Sequence, residues 1–153
     1  IVPVTSAEEM YQACVARFES TDVTILSAAV ADYKPATMAD QKIKKTSQAL
    51  TIELVSTRDI AAELGKLKKN GQFVVGFALE TENERTNAEK KIKSKNFDLI
   101  VLNSLQDAGA GFGHDTNKIT LIDAKNKATE FNLKSKKEVA RDIVKAIIDL
   151  GHG

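Results

Sequence analysis

The sequence predicts an α/β fold of three layers, a mostly parallel sheet covered by helices on both faces, with an antiparallel hairpin near the C-terminus. Three observations lead there. Apolar, β-branched runs of strand length alternate with longer amphipathic segments joined by short turns. A hydroxyl residue followed three positions later by an acid recurs ahead of those segments, at Ser6/Glu9, Ser56/Asp59, Thr81/Glu84 and Ser135/Glu138, which is the pattern of a helix N-terminus. Late in the chain, two strand-like stretches flank a turn rich in lysine and asparagine.

Taken in order, Ile1 to Val4 reads as a short strand and Ser6 opens a helix to about Glu19. Its face of Tyr11, Cys14, Val15 and Phe18 makes Cys14 a packing thiol in preference to a nucleophile. Val23 to Val30 is the expected central strand, followed by a long loop from Ala31 to Ser47. Leu50 to Val55 alternates as a strand does. The next helix, with its cap signal at Ser56 and Asp59, stops at Asn70-Gly71. Phe73 to Ala78 is a further apolar strand, and Thr81 opens a helix carrying Lys90, Lys91, Lys93 and Lys95. Asp98 to Asn103 reads as a buried strand and Leu105 to Asn117 as a glycine-bearing loop. The hairpin comprises Lys118 to Asp123 and Thr129 to Leu133, and the last helix has a stripe of Val139, Ile143, Val144, Ile147 and Ile148. His152 lies in a Gly-His-Gly tail. The alternation as a whole is Rossmann-like.

A chain of 153 residues makes one ordinary domain. With 22 basic and 21 acidic residues the net charge is +1, too little field to attract nucleic acid or a membrane surface. The apolar runs fall short of the roughly 20 residues of a membrane span. A single cysteine excludes an internal disulfide and suits a reducing cytoplasm. Several chemistries lack their fingerprints: there is no G-x-G-x-x-G, no phosphate-cradling G-x-x-x-x-G-K-[ST], no G-x-S-x-G elbow, and no zinc-like pattern around His114 or His152.

The informative stretch is TILSAAVADYKPATMADQKIKK, Thr24 to Lys45. An apolar strand gives way to small residues, then to Asp32 and Tyr33, then to a loop bearing Lys42, Lys44 and Lys45. In open α/β sheets ligands bind outside such strand ends. Converging lysines suit phosphate oxygens, although on composition alone the same cluster is a solvated basic loop. Asp32 reads either as a cap or as an acceptor for a ribose hydroxyl or Mg²⁺. Arg58, Asp59, Ile60 and Ala61 open a helix, where free amides favour an anion, or where Asp59 simply complements the dipole. Lys91 and Lys95 share a helix face one turn apart. Phe77 and Asn103 sit at strand ends, where a core ring and a turn-former are the plain alternatives.

AAVADYKP followed by KIKK resembles the signature of phosphopantothenoylcysteine synthetase. RDIAAEL, VVGFALET, KKIKSKNFDLIVLN and a late GFG-D-NKITLID follow in the family's order, so the resemblance covers essentially the whole chain. It implies a ligase of coenzyme A synthesis that uses CTP and Mg²⁺ to activate 4′-phosphopantothenate as an acyl-cytidylate, then couples it to cysteine. The parent protein is expected to be a homo-oligomer. FMN would belong only to a decarboxylase domain fused upstream. The resemblance further implies that Lys42 contacts the phosphates and is needed for the chemistry, with Lys44 and Lys45 fitting the pattern. It places Asp32 facing the nucleotide, on ribose or Mg²⁺, and makes Ala28 and Ala31 small enough to admit the base. Arg58 to Ala61 would line the pocket, Phe77 would pack on the nucleotide, and Lys91 and Lys95 would reach the triphosphate. One departure stands out: the family's Asn-Pro-Asp-Ile turn is here Thr57-Arg58-Asp59-Ile60, trading a fixed φ for a cation. The family's glycine-rich segment and Ser-Ser-Gly-Lys-Met-Gly-like loop lie upstream of this point. The sequence is therefore expected to be a fragment that exposes a sheet edge, self-associates, and binds nucleotide without turnover by itself.

Overall fold

The computed structural model describes residues 1–44, 49–80, 82–104 and 113–151. Lys45, the Thr81 cap, residues 105–112 with Gly111 of the GFG motif, and His152 lie outside them.

Helix α1 (Ala7–Phe18) starts at Ser6, whose hydroxyl accepts from the Glu9 amide while the Glu9 carboxylate accepts from the Ser6 amide. The chain continues through β1 (Val23–Leu26), β2 (Tyr33–Pro35), β3 (Leu54–Ser56), α2 (Ile60–Leu67), β4 (Phe73–Glu80), α3 (Glu84–Lys95) and β5 (Leu99–Ser104). It ends with β6 (Thr116–Asn117), β7 (Ile119–Asp123), β8 (Ala128–Glu130), β9 (Lys134–Ser135) and α4 (Lys136–Gly151). The main sheet has the order β1-β4-β5-β7-β8. Strands β1, β4 and β5 are parallel, and the β7–β8 hairpin adds antiparallel pairing beside β5.

Alternation along the strands divides the core. Val74 and Ala78 of β4 and Ile100 and Leu102 of β5 face α1, α2 and α3 through Phe18, Ile60, Leu64, Ala88 and Ile92. Val75, Leu99 and Val101 face α4 through Val139, Ile143 and Ile147. These are the three layers the alternation predicts. Each such buried aliphatic contributes roughly 1.5–3 kcal/mol. Cys14 is half-buried against the first of these cores, as a packing thiol.

Several expectations need correction. The predicted central strand is shorter, Val23–Leu26, and lies at the sheet edge, with Val23 and Ile25 exposed. Ile1 to Val4 forms no strand and pairs with none of the described strands. The loop after Ala31 contains β2, and of the stretch Leu50 to Val55 only its end belongs to β3. These two strands pair antiparallel as a separate ribbon, so the alternating Leu50, Ile52 and Leu54 remain exposed. Asp59, not Ser56, caps α2. Asn83, in the left-handed region that asparagine tolerates, takes the N-cap position of α3 without a side-chain capping bond. The last cap is as expected, Ser135 and Glu138 bonding reciprocally. On α4 only Val139, Ile143 and Ile147 are buried. Val144 and Ile148 sit about 100° round the helix and are exposed.

Candidate functional site

Contacts on two sides place the walls of the site. Gly65 lets α2 lie directly on the C-terminal turn of α3, where a Cβ would collide with the Lys95 carbonyl. Asn96, the left-handed C-cap of α3, donates from Nδ2 to the Gly65 carbonyl at 2.9 Å. Lys68 then ties the end of α2 to the entrance of β5, reaching Asn96 O at 2.8 Å and the Asp98 carboxylate at 2.9 and 3.0 Å, while Asp98 accepts from the Val74 amide. On the other side, the Thr57 amide and hydroxyl donate to the carbonyls of Asp32 and Ala31. The turn after β1 is thereby fixed against the start of α2.

Between these walls, at the C-terminal end of β1 and beside Gly76 and Phe77 in the middle of β4, is a cavity of about 190 Å³. Ala28, Ala31 and Asp32 line it from the turn after β1, Arg58, Asp59, Ile60 and Ala61 from the start of α2, Phe77 from β4, and Lys91 and Lys95 from α3. The neighbouring Lys90 and Lys93 point to solvent. Of the predicted site residues, Lys42, Lys44 and Asn103 are absent from the lining, and Lys45 lies outside the described residues. Lys42 and Lys44 lie on the exposed segment between β2 and β3. Asn103 faces a different cavity, of about 580 Å³ on the α4 side of the sheet, where it accepts from Asn117 Nδ2 at 3.1 Å. Ala28 and Phe77 border both cavities.

The cations of the site already have partners. Lys95 Nζ is 2.9 Å from Asp59 Oδ2, and Lys91 Nζ is 2.6 Å from Glu80 Oε1. Arg58 lies 3.4 Å from Glu8 and stacks over the Tyr11 ring at 4.4 Å. Asp59 also accepts from the Ala62 amide at 3.0 Å. Burial pulls its carboxyl upward, but the bonds from Ala62 and Lys95 and the Lys95 charge outweigh this and hold it below the usual carboxylate range. A depressed pKa adds stability above the unfolded value near 3.9, and that increment is lost as pH falls through the folded value. Asp59→Asn, which keeps a capping side chain, is therefore expected to melt with a shallower acid slope below about pH 4 than wild type; parallel melting curves across pH would remove this role.

Sequence reasoning missed Gly76, Phe97, Met10, Leu26 and Val30 in the lining, and Glu80 behind Lys91. Gly76 is buried directly under the Phe97 ring. Strand periodicity could have found Glu80, since Val74, Gly76, Ala78 and Glu80 share the β4 face that α3 covers. No group of three or more potential metal-ligating side chains is present among the described residues, and no described helix is long and apolar enough to cross a membrane.

Residues 1–150 match the family described as DNA/pantothenate metabolism flavoprotein C-terminal domain. The chain is 56% identical, over 99% of its length, to a cysteine/cysteine sulfinic acid decarboxylase from an unknown prokaryotic organism, of which it spans 42%. It is 42% identical, over 97% of its length, to the coenzyme A biosynthesis bifunctional protein CoaBC of Bacillus subtilis (strain 168), of which it spans 36%. Among solved structures it is similar to the C-terminal domain of a CoaBC protein, with a TM-score of 0.78 and 38% identity over 97% of this chain and 66% of that one. The chain belongs to the DNA/pantothenate metabolism flavoprotein C-terminal domain family.

Proposed function

We propose that this chain is the nucleotide-binding part of a phosphopantothenate–cysteine ligase acting in coenzyme A synthesis, and that CTP is its nucleotide. The observation that carries the reading is the meeting of four separated segments, after β1, at the start of α2, on β4 and on α3, around one cavity at the C-terminal end of the parallel strand β1. Its volume is below the roughly 300–1,000 Å³ of a drug-sized pocket, so it takes part of a nucleotide and leaves the rest in the open mouth. The small Ala28 and half-buried Phe77 suit a base or sugar, and Lys91 and Lys95 suit phosphates. The similarity to CoaBC proteins of coenzyme A biosynthesis supports the same reading.

In the reaction, the carboxylate of 4′-phosphopantothenate attacks the α-phosphate of CTP, giving the acyl-cytidylate and pyrophosphate. The amino group of cysteine then displaces CMP and forms the amide. Such transfers ask for positioning and charge stabilisation more than for a nucleophile. Lys91 and Lys95 hold phosphate oxygens, and Lys42 is assigned to the same anion from the segment between β2 and β3. Asp32, a single exposed carboxylate, fits Mg²⁺ as that ion is usually held, by one or two carboxylates with phosphates and waters supplying the rest. When bound, Mg²⁺ supplies neutralisation of phosphate charge.

The test is a thermal shift with CTP, ATP or GTP plus Mg²⁺. CTP at 100 Kd is expected to stabilise the chain by about 2.7 kcal/mol, ahead of the purine nucleotides. No response to any of them would favour a purely structural or dimerisation role. Pyrophosphate release on adding phosphopantothenate distinguishes an enzyme from a binder, and the expectation is none from this chain alone and turnover by the parent protein. The exposed Tyr33, Leu54 and Val55 of the β2–β3 ribbon support a homo-oligomer, since an isolated two-stranded ribbon is marginal. A monomeric sedimentation profile would contradict that.

A further inference from the structure

The Lys91 ammonium does not stand alone in the cavity wall. Glu80, at the end of β4, accepts from it at 2.6 Å, and the pair is unequal in freedom: the Glu80 side chain is 13% exposed and that of Lys91 39%. The other Glu80 oxygen accepts from Asn87 Nδ2 at 3.1 Å, and Asn87 also donates to the Glu82 carbonyl at 3.1 Å. The carboxylate is thus held by α3 and the end of β4, while the amine is the more exposed partner. Lysine has three donors, so two remain for an incoming oxyanion, but that anion arrives with a fixed negative charge behind the cation it meets. Phosphate must therefore share the ammonium with a carboxylate already bound to it, and gains less from it than from an unpaired amine.

We propose that Glu80 is an internal counter-ion that limits how tightly Lys91 holds phosphate, weakening the grip on the nucleotide and on the pyrophosphate it releases. The proposal rests on the reading of the cavity as a nucleotide site. Glu80 acts through Lys91 and is a positioning residue, with no contact of its own to the substrate.

The test is a double-mutant cycle on CTP and inorganic pyrophosphate binding, by calorimetry with Mg²⁺, using Glu80→Gln, Lys91→Met and the pair. Glu80→Gln, nearly isosteric and neutral, is expected to tighten both ligands at least about threefold and to do nothing further once Lys91 is methionine. Glu80→Asp, the same charge drawn back by one methylene, is expected to tighten them less, and it serves if the glutamine variant does not fold. A merely structural role would instead lower the melting temperature and weaken binding irrespective of Lys91. Unchanged or weaker binding in Glu80→Gln, or tightening that persists in the Lys91→Met background, would overturn the proposal while leaving the nucleotide site intact. If wild type binds CTP but Lys91→Met does not weaken it, the phosphate role of Lys91 fails, and this role of Glu80 with it. Absence of CTP binding by wild type would overturn both readings at once.

Discussion

Replacing Gly65 by alanine is expected to destabilise the chain by about 1–3 kcal/mol and to weaken nucleotide binding together with it. The new methyl group would meet the backbone carbonyl of Lys95 and the Asn96 side chain, not the yielding end of a flexible residue. The helices α2 and α3 must then separate. That movement stretches the Asn96 bond to the Gly65 carbonyl and the ion pair between Asp59 and Lys95. Asp59 from α2 and Lys95 from α3 both line the cavity, so one methyl group disturbs the fold and the site together. Chemical denaturation and a CTP titration check this; a variant with the wild-type midpoint would show that the helix contact is looser than its geometry indicates.

Lys42→Gln is expected to lower ligation by the parent protein about 10²- to 10³-fold, the loss typical of removing one preplaced charge or donor from a transition state. Its melting temperature should not change, because Lys42 is exposed and surface substitutions usually fall within about 0.5 kcal/mol. The contrast with Gly65 is the point of the pair. One change acts through packing and is read in stability, whereas the other acts on charge and is read in rate. A Lys42→Gln parent that ligates at the wild-type rate would remove this lysine from the chemistry and leave the phosphates to Lys91 and Lys95.

Most of the layering was legible in the sequence because it follows from local patterns. The buried faces of β4 and β5 alternate as their apolar residues do, and the Ser6 and Ser135 caps form as their spacing predicts. The errors arise where the pattern is sound but its partner is not encoded nearby. Leu50, Ile52 and Leu54 alternate like a core strand, yet they run towards a two-stranded ribbon with no layer above it. Val23 and Ile25 have the composition of a central strand, but composition does not tell an interior position from an edge.

The site shows the same division. Lys91 and Lys95 could be separated from Lys90 and Lys93 by helical phase together with the family pattern, and the cavity wall keeps that division. Glu80, Gly76 and Phe97 escaped notice because their significance lies in contacts across the fold: a carboxylate under an amine on α3, and a ring on the only side-chain-free position of its strand face. Lys42 carries the strongest sequence signal, yet it stands outside the cavity. A motif records which residues recur together and not where a surface segment rests.

The most direct measurement is an amide-resolved NMR titration of the chain with CTP and Mg²⁺. Saturable shifts confined to residues 28–32, 42, 57–61, 76–77 and 91–95 are expected, with a separate cavity between the β7–β8 hairpin and α4, lined by Leu121, Thr129, Phe131 and Ala146, unaffected. No saturable shift, or shifts centred on that hairpin cavity, would contradict a triphosphate seated where α2 and α3 meet the strand ends.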